Sequence, residues 1–172
     1  MFHASRLNDY MIYIYLFIGL ASLTAVLAGF SSAPYVPMRK KDLARFLDIA
    51  EIKKGDVVYD LGCGDGRILM SAKKMGARAI GLEISMLNYL YCKIFNRGVD
   101  IRFKNFFYEE YQDADIVYMF LSKKVHNSMG KTLREQMKPG SKIICYVWPI
   151  VDLVPEKINK KEGYPTLYLY RV

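Results

Sequence analysis

A turn built from alternating glycines follows an apolar segment in the first half of the chain. Val57–Leu61 has the pattern of a buried strand, and glycine occupies positions 62, 64 and 66 directly after it. Glycine lets a ligand approach the backbone closely and adopts the positive φ that such turns require. A helix that begins near Gly66 points its unpaired N–H groups at that ligand. We therefore interpret the turn as a cradle for a nucleoside-type cofactor at the carboxyl end of a strand.

The spacing of the turn argues against a nicotinamide dinucleotide. The dinucleotide fingerprint is G-x-G-x-x-G, whereas this chain has Arg67 where the third glycine belongs. Asp65 also places a carboxylate where a pyrophosphate needs donors. Asp60, at the end of the strand, is suited to an ammonium group. These residues, with Cys63 between them, favour a cationic or zwitterionic ligand.

A second carboxylate, Glu83, ends the next predicted strand, 23 residues after Asp60. A carboxylate at this distance accepts hydrogen bonds from both hydroxyls of a ribose. The alternative is that Glu83 caps the helix beginning near Met86. We favour the ribose interpretation because of the glycine turn, and we include the adjoining Ile84 in the predicted site.

The third predicted strand is followed by Asn105 and two phenylalanines. The Asn105 amide would hydrogen-bond an adenine edge, and Phe106 or Phe107 would stack on the ring. The alternatives are an ordinary turn asparagine and a pair of core phenylalanines.

Strand and helix patterns alternate through the rest of the chain, which indicates a parallel sheet covered by helices. The predicted strands are Val57–Leu61, Arg78–Leu82, Ile101–Phe103, Ile116–Leu121, Lys142–Trp148, a segment near Leu153–Ile158, and Thr166–Tyr170. The predicted helices include Arg67–Met75, Met86–Asn96 and one that Ser122 caps. The last two strands lack a helix between them, so the C-terminal strand is expected to be antiparallel. We expect an α/β, Rossmann-like sheet.

Residues 10–30 are free of charged side chains and mostly apolar. A helix needs about 20 such residues to span a bilayer. We therefore expect an N-terminal tail at 1–9, a transmembrane helix at 10–30, a linker at 31–38 and a folded domain at 39–172. A cleaved signal peptide and a buried or peripheral helix are the alternatives. Pro34, directly after Ser31-Ser32-Ala33, argues against cleavage.

The charge distribution suggests an orientation. Residues 1–33 carry one Arg and one Asp, so the net charge of +8 lies on the rest of the chain. Basic residues after the apolar run place the domain on the cytoplasmic side. Three widely separated cysteines match no zinc spacing and suit a reducing compartment, so no metal site is predicted. The basic residues form scattered pairs, which argues against a nucleic-acid partner.

The stretch from Asp60 to Gly66, followed by Gly81-Leu82-Glu83, resembles the class I S-adenosylmethionine-dependent methyltransferases. Met137–Ser141 is similar to the turn before their fifth strand. The apolar run with Ala33–Pro37 and Trp148-Pro149 resembles the membrane-anchored protein-lysine methyltransferases related to mitochondrial enzymes. Those enzymes act on the ATP synthase c subunit and the adenine nucleotide translocase.

The resemblance implies S-adenosyl-L-methionine as cofactor, with Asp60, Gly62, Gly64 and Gly66 along its methionine part and Glu83 at its ribose. It implies methylation of a lysine in or near a membrane. The oligomeric state stays open.

Aromatic side chains are candidates for the lysine slot, namely Tyr35, Phe120 and Trp148. No general base is assigned, and His126 is expected to be exposed on its helix. The alternatives are methylation of a small lipophilic molecule and a non-catalytic membrane scaffold. The Phe120–Lys123 segment lacks the Asp/Asn-Pro-Pro-aromatic step of nucleic-acid amino methyltransferases.

Overall fold

The apolar segments assemble into one seven-stranded sheet. The computed structural model describes the backbone of residues 2–31 and 36–172, and the side chains of residues 10–26 and 36–172. Five helices are described: α1 (Phe2–Ser31), α2 (Lys40–Ala50), α3 (Arg67–Lys74), α4 (Met86–Phe95) and α5 (Lys123–Gln136). The strands are β1 (Val57–Leu61), β2 (Arg78–Glu83), β3 (Asp100–Phe103), β4 (Ile116–Met119), β5 (Lys142–Tyr146), β6 (Lys157–Asn159) and β7 (Leu167–Arg171). A 3₁₀ helix, Phe106–Tyr108, follows β3.

The strand order is β3-β2-β1-β4-β5-β7-β6. The first five strands in this order are parallel, β7 is antiparallel to β5, and β6 is antiparallel to β7. The order reverses at β1, so the carboxyl ends of β1 and β4 flank a crevice where such sheets bind ligands.

Each face of the sheet buries its own apolar core. One core joins the sheet to α2, α3 and α4, with Phe46, Leu69 and Cys92 fully buried. The other joins the sheet to α5 through Met129 and Leu133. The Rossmann-like sheet with an antiparallel C-terminal strand is thus confirmed. Ser122 precedes α5 as predicted, but its side chain makes no capping hydrogen bond.

The predicted transmembrane helix over residues 10–30 lies within α1, which starts at Phe2 inside the predicted tail. Among the residues that the structure describes, no helix has both the length and the apolar character needed to cross a membrane. The predicted span is therefore not borne out. Part of α1 instead packs on the domain: Ala21 is buried, and the Thr24 hydroxyl accepts a hydrogen bond from the Met86 N–H at 3.1 Å.

The large apolar residues of α4 lie mostly on its exposed side. Leu87, Tyr91, Ile94 and Phe95 are exposed, and Cys92 is the fully buried residue of this helix. A helix can bury only the side that faces its sheet. Because the small Cys92 occupies that side, the larger side chains of α4 face outward and form an exposed apolar stripe.

Candidate active site

An open cleft lies at the carboxyl ends of β1, β2 and β4, and its empty volume is about 850 Å³. The residues that line it come from the strand ends, the glycine turn, and the segment that enters α2. They are Ala25, Val36, Pro37, Met38, Asp60, Gly62, Cys63, Gly64, Asp65, Arg67, Ile68, Leu82, Glu83, Ile84, Ser85, Asn88, Phe106, Tyr118, Phe120 and Leu121.

The glycine turn has the conformation that its sequence predicts. Gly62, Gly64 and Gly66 all have positive φ, between 55° and 74°. α4 supports the turn from behind: the Cys92 thiol donates to the Gly64 carbonyl at 3.1 Å, and the Asn96 amide donates to the Asp65 carbonyl at 2.7 Å. Two side chains of this region therefore hold the turn from the side opposite the cleft. Gly66 is behind the lining rather than in it, because a Cβ there would lie 2.3 Å from Asn96 Nδ2.

Glu83 is buried and holds the turn and the next loop together. One carboxylate oxygen accepts the Gly64 N–H at 2.9 Å, and the other accepts the N–H groups of Ile84 and Ser85 at 2.9 and 2.8 Å. The helix-capping alternative thus describes a real contact, since Ser85 directly precedes α4. Glu83 also lines the cleft beside Ile84, so its predicted ribose contact remains geometrically available.

Asp60 lies on the floor of the cleft. The residue is 3% exposed, and within the described part of the chain its carboxylate forms no hydrogen bond or ion pair. Burial, and then the nearby charge of Glu83, raise the pKa of Asp60 well above its ordinary value. A buried carboxylate that lacks a cation is costly. The floor of the cleft is therefore complementary to a positively charged group.

Asp65 lines the cleft as predicted, but it already has a cationic partner within the chain. The Arg67 side chain already neutralises it, with Nε 2.9 and 3.0 Å from the two carboxylate oxygens. Burial would raise the pKa of Asp65, but the hydrogen bonds and charge of Arg67 outweigh it and lower that pKa. Arg67 also donates to the Met38 carbonyl, which ties the turn to the segment before α2.

Of the two residues in the predicted adenine contact, one lines the cleft and the other does not. Phe106 is buried and lines the cleft, but Asn105 does not line it. The Asn105 side-chain oxygen accepts the Phe107 N–H at 3.0 Å and so caps the 3₁₀ helix. This local bond engages the side-chain oxygen of Asn105, since short polar side chains readily bond to nearby backbone.

The aromatic slot is only partly assembled. Phe120 lines the cleft and packs edge-on against Tyr146, with ring centroids 4.7 Å apart. Trp148 is 44% exposed and outside the lining. Tyr35 lies outside the described residues. Tyr118 lines the cleft too, and its buried hydroxyl has no hydrogen-bond partner among the described residues.

His126 is fully buried, so the expectation of an exposed histidine was wrong. Its Nε2 accepts the Leu121 N–H at 3.0 Å, and its Nδ1 lies 2.7 Å from the Trp148 carbonyl. The histidine therefore bridges the loops after β4 and β5, as the tautomer protonated at Nδ1. Burial lowers the pKa of His126, although the bond to the Trp148 carbonyl opposes this.

Several residues of the cleft were not predicted from the sequence. Ser85 and Asn88 follow Glu83 at the start of α4, and a polar pair directly after a predicted ribose carboxylate is the signal that could have revealed them. Ala25 of α1 and Val36–Met38 reach the cleft through tertiary packing alone. No local pattern marks residues of that kind.

Comparisons with known proteins converge on one chemistry. The model of the ANTKMT methyltransferase domain matches residues 60–157. A protein-lysine N-methyltransferase of Saccharolobus islandicus (strain REY15A) is 35% identical over 148 residues, which cover 80% of this chain and 92% of that protein. The lysine N-methyltransferase of the ATP synthase c subunit from Xenopus laevis is 26% identical over 144 residues, which cover 80% of this chain but 62% of the relative's length.

Among solved structures, an RNA methyltransferase from Salinibacter ruber in complex with S-adenosyl-L-homocysteine superimposes with a TM-score of 0.74 at 29% identity. The alignment covers 79% of this chain and 93% of that one. The C-terminal domain of precorrin-6Y C5,15-methyltransferase from Rhodobacter capsulatus aligns with a TM-score of 0.60 at 12% identity, which shows the shared fold.

Proposed function

Because this chain belongs to the ANTKMT methyltransferase domain family, we propose that it methylates a lysine of a protein held at a membrane. S-adenosylmethionine is the methyl donor that the family and the complexed structural neighbour imply. The observation that carries the proposal is the buried carboxylate of Asp60 under a glycine turn, which no described residue pairs with. It is complementary to the ammonium group that a methionine-derived cofactor carries.

The residues present fit this cofactor. Asp60 would receive its ammonium group, the turn from Gly62 to Gly64 would lie against its methionine part, and Glu83 would face its ribose. A Cβ at Gly62 would lie 3.3 Å from Leu121 Cδ2, so a side chain would crowd that space. The bound cofactor supplies an activated methyl group, and the protein contributes proximity and orientation.

The substrate amine must be neutral when it reacts, because an ammonium has no lone pair. Phe120, Tyr118 and Leu121 give the cleft an apolar wall beside the glycine turn. Burial in such surroundings disfavours the charged form of an amine. Desolvation would therefore favour loss of the proton without an assigned general base.

Membrane attachment is supported by α1. From Tyr10 to Ile18 every large apolar side chain of this helix is at least 40% exposed, and Leu20, Leu23 and Val26 are exposed as well. Large contiguous apolar patches that are exposed on a protein surface mark interaction sites. The excess of basic residues after α1 supports a cytoplasmic position of the domain, because the anionic cytoplasmic leaflet attracts basic segments. In this proposal α1 attaches the domain to the membrane that holds the substrate.

The test is methyl transfer to native membranes. The full-length protein is incubated with radiolabelled S-adenosylmethionine and membranes, and the label is divided between protein precipitate, organic extract and RNA. Methyl-lysine is then identified in hydrolysed protein. We expect label in methyl-lysine, and we expect chemical acetylation of membrane lysines before the reaction to abolish it. Asp60→Asn, which should bind the cofactor more weakly, is the control and should reduce the label at limiting S-adenosylmethionine.

Label confined to the organic extract would replace a protein substrate with a small lipophilic one. Label in RNA would favour the activity named for the Salinibacter relative. Cofactor binding without transfer to any fraction would indicate a non-catalytic module.

A further inference from the structure

Four cations surround one tyrosine ring at the entrance to α2. The distances from the Tyr164 ring centroid are 4.6 Å to Lys41 Nζ, 4.6 Å to Lys161 Nζ, 4.9 Å to Arg39 Cζ and 5.5 Å to Arg45 Cζ. Cations are attracted to the ring face within about 6 Å, but they repel one another. We call this group the Tyr164 cluster.

The Tyr164 cluster lies at the same edge of the sheet as the cleft. Tyr164 belongs to the connection from β6 to β7, and β7 begins where the antiparallel β5 ends. Arg39 directly follows Met38, which lines the cleft. Arg39 also donates to the Gly163 carbonyl at 3.4 Å, which joins the two halves of the cluster.

Two of the four cations, both arginines, form ion pairs and hydrogen bonds within the fold. Buried Asp42 pairs with Arg39 at 2.7 Å and with Arg45 at 2.8 Å. Arg45 also donates to the side chain and carbonyl of Asn159 and to the Pro165 carbonyl. The arginines therefore fix the loop that carries Tyr164.

The two lysines differ from the arginines in their described contacts. Lys41 and Lys161 are exposed, and within the described residues neither ammonium has an ion pair or a hydrogen bond. Each ammonium instead lies 4.6 Å from the centroid of the Tyr164 ring, so the ring keeps both near the same loop. The result is two ammonium groups without an ion pair among the described residues, next to two arginines that are paired with Asp42.

We propose that Lys41 and Lys161 of the Tyr164 cluster bind the phosphate of anionic lipid headgroups and so turn the cleft toward the bilayer. This inference rests on the membrane attachment proposed above. Arg39 comes eight residues after Ser31, the end of α1, and most of the described side chains of α1 are apolar and exposed. Basic residues that directly follow a membrane-associated helix are attracted to anionic lipid. An acidic segment of the substrate protein is the competing occupant.

The test compares binding of the full chain to phosphatidylcholine vesicles with and without phosphatidylglycerol, by flotation. The variant is Lys41→Gln with Lys161→Gln. Its matched control is Lys53→Gln with Lys74→Gln, which removes the same charge from exposed positions before β1 and β2, at the opposite edge of the sheet. Thermal unfolding of both variants verifies that the exposed substitutions leave the fold intact.

We expect the wild type to prefer phosphatidylglycerol vesicles by roughly tenfold or more. The cluster variant should lose most of that preference while the control keeps it. Equal losses in both variants would mean that net charge alone causes the preference for phosphatidylglycerol, and this would overturn the assignment. A wild type that floats equally with both lipids would also overturn it, whereas one that floats with neither would refute membrane attachment itself.

Two further measurements separate the sources of the anion. Calorimetric binding of inorganic phosphate, together with no lipid preference, would assign the site to free phosphate and overturn the lipid proposal. A slower methylation of protein substrate by the cluster variant in lipid-free detergent would assign the lysines to an acidic substrate segment. Unchanged lipid-free methylation, with loss of the vesicle preference, supports the lipid.

Discussion

At the residue scale, the charge state of Asp60 should govern cofactor binding. Its pKa is raised while the cleft lacks a cation, so the free protein retains this proton above the usual titration range of an aspartate. Binding of an ammonium favours the carboxylate and releases the proton. Cofactor affinity should therefore rise with pH until Asp60 ionises in the free protein, and then level off.

Asp60→Asn should remove both the interaction and its pH dependence. Hydrogen bonds to charged groups contribute about 1.5–3 kcal/mol, so affinity should fall by roughly 10- to 100-fold. Isothermal titration calorimetry in buffers of different ionisation enthalpy measures affinity and proton release together. Asp48→Asn, at an exposed position on α2, is the control. An Asp60→Asn variant with unchanged affinity would contradict the assignment of the cleft floor.

Gly66 offers a second test at this scale. Gly66→Ala should destabilise the turn, because alanine at φ +73° is strained and its Cβ would collide with Asn96. The strain alone costs about 1–2 kcal/mol. Gly140→Ala is a matched control, since Gly140 has φ +86° and no described atom within 4 Å of a Cβ.

Gly66→Ala should therefore lower the free energy of unfolding more than Gly140→Ala, as measured by urea denaturation. It should also weaken cofactor binding, since Asn96 supports Asp65. Equal losses of stability would show that the collision with Asn96 is relieved at no cost.

At the element scale, His126 couples α5 to the loops after β4 and β5. Burial lowers its pKa in the folded protein. As pH falls below about 6.5, the unfolded chain takes up a proton at this position while the folded protein does not. The contribution of His126 to the free energy of unfolding should thus be constant above that pH and decline below it.

His126→Gln keeps a side chain that can accept the Leu121 N–H but cannot be protonated. Urea denaturation at pH 7.5 and pH 5.5 should show a smaller loss of stability on acidification for the variant than for the wild type. An equal loss in both proteins would mean that other groups cause the acid sensitivity.

The exposure of the α4 stripe predicts that truncating its side chains costs little stability. If Ile94 were core, truncation to alanine would cost about 2–5 kcal/mol. Because Ile94 is 60% exposed, we expect Ile94→Ala to change the free energy of unfolding by no more than about 0.5 kcal/mol. Leu133→Ala, at a fully buried position in α5, should show the full cost in the same urea denaturation experiment.

At the scale of the whole molecule, the sequence was informative wherever chemistry and local structure coincide. The glycine turn, the strand before it and Glu83 are contiguous features, and positive φ or an acidic strand end follows from residue type. The apolar strands and the C-terminal antiparallel pair could be predicted for the same reason.

Features that depend on packing were not predictable in this way. The outward stripe of α4 depends on which side meets the sheet, and the burial of His126 depends on two loops that are distant in sequence. The local cap of Asn105 competes with a ligand role that its position also permits. The contact of α1 with the cleft likewise has no local signature, because Ala25 is an ordinary small residue.

That contact has a kinetic consequence. Ala25 and Val36 are both exposed and both line the cleft, so α1 and the segment before α2 form part of its rim. Each round of catalysis must exchange spent cofactor for fresh cofactor past this rim. A bulky Ala25→Phe side chain should slow both association and dissociation in stopped-flow measurements, whereas Val26→Phe, at an exposed position outside the lining, should not. The helix proposed to attach the protein to its membrane would then also set how long each cofactor molecule stays bound.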